Sequence, residues 1–326
     1  MPLASGLASQ LGIVDEVTYG TPVTVSRFYD MVQENVNLSV DRVEAKGLRA
    51  AARTIKSAQW VAGKQSIAGP VDLEVWNKGY GLWWKHCLGN VALTQPNAGP
   101  DPTVWDQTIT PGDLAGKSLT MQIGRPSQDG TVRAFTYTGV KVAKWELGVA
   151  VDKLAELKVT TVGQAESTSI ALAAATAPTG LAPFVFTQGT LSLAGSAIDV
   201  HDFKLSGDNF LNDRFKLGTA LRKEPLEANR RDYVGEITAY FVDFTAYNRF
   251  VNGTEAALVL DFLGAIIAGG SGTLNFELKV TANVRFDGDT PNVTGPGEVM
   301  QPLKIKCTDA GSGALTVLYR STDSAP

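Results

Sequence analysis

Alternation of apolar and polar residues, repeated in segment after segment, is the feature that most restricts how this chain folds. Val71-Asp72-Leu73-Glu74-Val75, Ser118-Leu119-Thr120-Met121-Gln122-Ile123 and Thr273-Leu274-Asn275-Phe276-Glu277-Leu278-Lys279-Val280 all follow it. A period of two sends successive side chains to opposite faces of a strand, so each segment has an apolar face to bury and a polar face to leave in water. Gly (33 residues) and Pro (15) interrupt the chain at short intervals, as the turns of an all-β protein require. The class expected is mainly β, with one or two short helices.

Two segments break the period. Residues 80–88 put Leu82, Trp83, Cys87 and Leu88 on one apolar stripe that ends at Gly89, a residue suited to a helix C-terminus. Residues 245–251 carry Phe250 and Val251 ahead of Asn252-Gly253. Residues 166–183 are rich in Ala, Thr and Ser and are closed by Pro178 and Pro183, which reads as a linker.

That linker divides the chain almost evenly: an N-terminal arm and first strand (1–30), a first β domain (31–165), the linker (166–183) and a second β domain (184–326). Each half runs from a strand opened by glycine (Gly69-Pro70, then Gly235), through a short helix, into several more strands. This order fits an internal duplication. Identity between the halves is poor and any β-rich chain can yield such a parallel by chance, so both readings stay open.

The 326 residues, 44% hydrophobic and 19% charged, suffice for one large core or two ordinary ones. No window approaches the roughly 18 consecutive apolar residues of a membrane span. The start, Met1-Pro2-Leu3-Ala4-Ser5-Gly6, lacks the basic region and apolar run of a signal peptide, so the expectation is a soluble chain made in the cytoplasm. A net charge of -4 argues against a surface that grips nucleic acid, which needs clustered Lys and Arg. Cys87 and Cys307 form no CxxC pair and are expected as packed, reduced thiols.

No catalytic, cofactor or metal signature survives inspection. Gly112-Asp113-Leu114-Ala115-Gly116-Lys117-Ser118 is one residue short of a phosphate-binding loop and precedes a strand instead of a helix. Asp287-Gly288-Asp289 with Asn292 and Glu298 mimics a calcium loop, but Pro291 takes a ligand position and Asn292 replaces the turn glycine. His86 and His201 are the two histidines and neither accompanies a GxSxG elbow. Asn252-Gly253-Thr254 and Asn292-Val293-Thr294 match the glycosylation sequon but read as turns.

The run Gly6-Leu7-Ala8-Ser9-Gln10-Leu11-Gly12-Ile13, followed by Glu16 and Thr18-Tyr19-Gly20-Thr21-Pro22, resembles the opening of tail tube proteins of long-tailed bacteriophages. The resemblance continues through Lys46-Gly47-Leu48-Arg49, Gly69-Pro70-Val71-Asp72-Leu73-Glu74-Val75, Asp106-Gln107-Thr108-Ile109-Thr110-Pro111-Gly112, Tyr137-Thr138-Gly139-Val140-Lys141-Val142 and Arg231-Asp232-Tyr233-Val234-Gly235. It rests on the order of these pieces across nearly the whole chain. It implies a β-sandwich or barrel tube domain whose sheets join those of neighbours, with six such domains in a ring and rings stacked into a conduit. Three duplicated chains or six single-domain chains would complete a ring. The implied partners are other copies of the chain, the tape measure protein, the terminator and tip proteins, and double-stranded DNA passing without specific binding. The implied location is the virion tail, with no enzyme activity, cofactor or membrane.

In that setting Asp72, Glu74, Thr120, Gln122, Asn275 and Glu277, all on polar strand faces, are candidates for a lumen lining that repels phosphate and lets DNA slide. Lys46, Arg49, Arg53, Lys56 and Lys64 lie in a segment without acids and are candidates for contact with an acidic surface on the adjacent ring or subunit. The termini, 1–14 and 319–326, are candidate arms that order on assembly. A capsid decoration or tail-completion protein is the alternative within the same class. A glycan-binding tail-tip protein would need exposed tryptophans beside paired carboxylates.

Overall fold

A computed structural model describes residues 5–326 except 289, 292, 294 and 312. The first half contains β1 (Gln10–Asp15), β2 (Arg27–Tyr29), β3 (Met31–Glu34), β4 (Asn37–Glu44), β5 (Trp60–Glu74), helix α1 (Gly81–Leu88), β6 (Gly89–Thr94), β7 (Trp105–Pro111), β8 (Leu119–Pro126), β9 (Val132–Ala150), β10 (Glu156–Gly163) and β11 (Ala165–Ser167). The second contains β12 (Gly189–Leu193), β13 (Ser196–Ala197), β14 (Val200–Asp208), β15 (Asp232–Tyr240), helix α2 (Thr245–Asn252), β16 (Ala256–Ile266), β17 (Asn275–Phe286), β18 (Met300–Cys307) and β19 (Leu315–Ser321). The expected class is the observed one. Both helices lie where their glycine stops placed them, with Gly89 at φ +110° and Gly253 at φ +64°.

The central sheet is antiparallel in the order β5–β10–β9–β14–β15–β18. β9 is long enough to serve two layers. Its first part pairs with β8 and β11, and its last ten residues pair with β10 and β14. A strand that changes partners in this way turns the corner between packed sheets. β17 does the same in the second half, pairing first with β19 and then, at Val284–Phe286, with β18.

The pairing scheme is used twice. In the first half β1 pairs with β8, β8 with β9, β9 with β10 and β11, β10 with β5, and β5 with β4. In the second, β12 pairs with β16, β16 with β17, β17 with β18 and β19, β18 with β15, and β15 with β14. α1 follows β5 as α2 follows β15. The β6–β7 hairpin is an addition to the first half, and β7 pairs with β19 of the second.

The core lies between the central sheet and its flanking layers. One face of the central sheet carries Val71, Leu73, Leu157, Val159, Trp145, Leu147, Leu205 and Ile305, all buried. Gly207 is required there: a Cβ would stand 2.4 Å from the Trp145 ring. α1 buries Leu82, Trp83, Trp84, Cys87 and Leu88 in the same core. The segment expected as a linker crosses the first half as an extended strap, with Asn77 accepting from Ala182 N at 3.0 Å and Lys78 donating to Thr179 O at 2.8 Å.

Candidate functional site

The outer face of the central sheet is mostly polar, with Val234 an exposed apolar side chain in the rows below. Register sets its rows: Asp72, Lys158, Glu146, Ser206, Val234 and Lys306 lie side by side, as do Glu74, Glu156, Gly148, Lys204, Glu236 and Lys304. A third row runs Pro70, Thr160, Lys144, Asp208 and Asp232. These rows hold no arginine and no aromatic side chain. The carboxylates outnumber the lysines, and Lys144 and Lys306 are each drawn to an acid, at 2.9 Å to Asp208 and 2.7 Å to Asp232. The three rows are charged and acid-leaning and contain neither stacking platforms nor guanidinium forks, the groups that hold nucleic acid; Arg285, paired with Asp287, lies beyond Lys306, and Phe210 borders the same surface.

Asp72 and Glu74 stand on this face as expected, both half-buried, with Gln33 donating to Asp72 at 2.5 Å. The other acids of the rows escaped the sequence reading because no strand carries more than two of them on this face, mixed with lysines on β9, β10 and β14, and only the register gathers them onto one surface.

Thr120, Gln122 and Glu277 are corrected. Expected on open polar faces, they are 0%, 2% and 3% exposed inside the subunit. Gln122 donates to Thr136 at 2.9 Å and to Ala171 O at 3.0 Å, and accepts from Ala173 N at 2.8 Å, so the strap covers this face of β8. Glu277 is bonded to Arg320 and Lys279 on the neighbouring positions of β17 and β19. Asn275 is half-buried and donates to Gly264 O at 2.7 Å.

Lys46, Arg49, Arg53 and Lys56 are exposed on the loop 45–59, at the tip of the long β4–β5 hairpin. Lys64, also exposed, lies midway along the hairpin at its register shift, 3.8 Å from Asp41 and 3.9 Å from Asp213.

The scattered sequence pieces that carried the resemblance meet in space. Glu16 is buried and accepts from Gly20 N (2.8 Å), Ser118 Oγ (2.6 Å), Thr120 Oγ1 (3.0 Å) and Gly139 N (2.9 Å). Gly139 sits at φ +62° with the Tyr19 ring over it, so two motif glycines and one motif tyrosine surround one carboxylate. Lys141, 2% exposed, donates to Glu224 at 2.6 Å, and Arg231 donates to Leu88 O and Gly112 O. These contacts dock residues 209–231 of the second half onto the first.

The chemical lookalikes resolve into structure. Lys117 donates to Gly89 O at 2.5 Å and Asp113 O at 2.6 Å, and Ser118 serves Glu16, so residues 112–118 form a closed turn. Asp287 is paired with Arg285 at 2.8 Å, while Asp289 and Asn292 of the calcium-like spacing lie outside the described residues. His86 is buried and bonded to Asp15 at 2.6 Å, with Lys85 on the other carboxylate oxygen at 2.5 Å. Burial would raise the Asp15 pKa, but these two partners hold it at about 2. Burial pulls His86 below its ordinary value against the attraction of Asp15. Of the six tryptophans only Trp60 is exposed, and Arg42 lies over its ring at 5.6 Å.

Among the described residues no helix is long and apolar enough to cross a membrane. No curated protein matches the sequence. A family model described as phage tail tube protein matches residues 6–307, from before β1 to the end of β18, and the chain belongs to that family of structural proteins of the bacteriophage virion tail.

Proposed function

We propose that three copies of this chain, each carrying two tube domains in tandem, close into a ring, and that the rings stack into the tail tube. The observation that carries this reading is the doubled pairing scheme, in which β4–β5–β10–β9 recurs as β14–β15–β18–β17. Within the chain the two units are joined by β9 against β14. The corresponding edges at the two ends are β17 and β3–β4, so one copy's β17 side meets the next copy's β3–β4 side, and three copies bring six units around an axis. Closing the ring covers edges that would otherwise recruit strands without limit.

The outer face of the central sheet then faces the lumen. Its excess of carboxylates repels the phosphate backbone, and rows without aromatic side chains leave double-stranded DNA free to slide during ejection. The chain carries out no catalysis in this role. Its other contacts are the tape measure protein during assembly and the terminator and tip proteins at the tube ends.

Negative-stain electron microscopy of the purified, concentrated chain tests the proposal. Hollow striated filaments whose end-on averages show three pairs of lobes are expected. Six equal lobes from six chains would remove the tandem-domain ring, and discrete particles that never polymerise would favour a decoration or tail-completion protein.

A further inference from the structure

The two helices are treated differently. α1 is buried and the β6–β7 hairpin packs beside it, whereas α2 buries none of its residues and the chain passes directly from it to β16. Phe241, Phe244, Tyr247 and Phe250 form an edge-to-face series at centroid spacings of 5.8, 6.3 and 6.4 Å. Phe244 is 65% exposed and Val251 58%. Beside α2 runs a groove of about 460 Å³ lined by Val242, Ala246 and Leu303, with Asp199, Asp243 and Arg249 at its polar positions. An apolar surface of this kind on an assembling subunit asks for a cover.

The first half shows what covers the end of its helix. Asn209 donates to Cys87 O at 3.1 Å and Arg231 donates to Leu88 O, so the two ends of the loop joining β14 to β15 grip the last turn of α1. A guanidinium there also meets the negative end of the helix. In the doubled scheme α2 stands for α1, and the loop joining β4 to β5 stands for the loop joining β14 to β15. In the proposed ring the unit that adjoins the β3–β4 edge is the second half of a neighbouring copy, so the equivalent contact comes from that copy.

We propose that α2 and its groove receive the loop 45–59 of a neighbouring copy. The chemistry matches: Leu48 and Ile55 are exposed apolar side chains on that loop, and Lys46, Arg49, Arg53 and Lys56 supply the cations that the helix C-terminus and the groove acids take up. The same contact locks ring closure, because it joins the two ends of the tandem that the sheet edges bring together. This docking rests on the ring reading above.

Two variants test it. In Leu48→Cys/Val251→Cys, oxidised tubes should yield cross-linked trimers on a denaturing gel, with Cys87 and Cys307 buried and silent. Phe250→Asp/Val251→Asp should keep the thermal midpoint of the wild type, since neither side chain is buried, yet sediment as monomer. Tubes that form normally from the aspartate variant, or oxidised tubes without cross-links between copies, would overturn the docking and leave the tube reading intact. A wild-type chain that never forms tubes would remove both.

Discussion

Arg320 on the last strand and Asp106 on β7 are joined by two parallel hydrogen bonds, Nε to Oδ1 at 2.6 Å and Nη2 to Oδ2 at 2.8 Å. The same guanidinium donates to Glu277 on the other side, so β19 is fastened to a strand of each half. Removing the cation leaves two nearly buried carboxylates facing each other. Arg320→Ala should therefore lower unfolding stability by about 3–5 kcal/mol. Urea unfolding measures this, and a loss below about 1 kcal/mol would mean the bridge is dispensable.

Glu16 gathers four donors from three separate stretches of chain. Glu16→Ala strands buried donors, including the Gly139 N–H, and should cost about 3 kcal/mol. Glu16→Gln keeps one acceptor oxygen and should lose less. Equal losses in the two variants, read from urea midpoints, would show that side-chain volume and not hydrogen bonding matters here.

Acid should destabilise the subunit in two steps. His86 has a folded pKa below its ordinary 6.5, and Asp15 one of about 2 against an ordinary 3.8. For both groups the unfolded chain binds more protons, so their contributions are complete above about pH 6.5 and are lost as pH falls. The thermal midpoint should be level near neutrality, decline below about pH 6.5 as unfolded His86 gains its proton, and decline again as Asp15 is protonated below about pH 4. His86→Gln should remove the first decline and shrink the second, since Lys85 alone then holds Asp15 low. A midpoint that rises as acid is added contradicts the assignment.

Charge reversal on the outer sheet face should spare folding and change DNA passage. Asp72→Lys/Glu74→Lys/Glu156→Lys alters side chains that contribute nothing to the core, so tubes should form. They should retain double-stranded DNA at low salt, each phosphate contact adding about 0.9 to the salt slope. Delivery of the genome should slow. Unchanged infectivity and no retention would take the lumen away from this face.

Both thiols should be inert in the native subunit. Burial pushes Cys87 far up and Cys307 to about 12, so neither is a thiolate near neutrality. A thiol-reactive dye should report no reaction before denaturation and two groups after it.

The sequence determined what is decided by near neighbours. Alternation over five to eight residues marks β5, β8 and β17 as strands, and Gly89 and Gly253 end the two helices, because side-chain direction and a left-handed stop depend on residues a few positions apart. It also placed Asp72 and Glu74 opposite Leu73. Tertiary structure alone decided which polar faces stay open. Alternation says that the two faces of a strand differ, not what lies over the second. The polar face of β8 is covered by Ala171, Ala173 and Glu16, and that of β17 by Arg320, partners distant in sequence that satisfy Thr120, Gln122 and Glu277 internally. The acidic rows on the central sheet arise likewise from the register of six strands drawn from both halves. That register is fixed by packing on the shared core, and no local pattern encodes it.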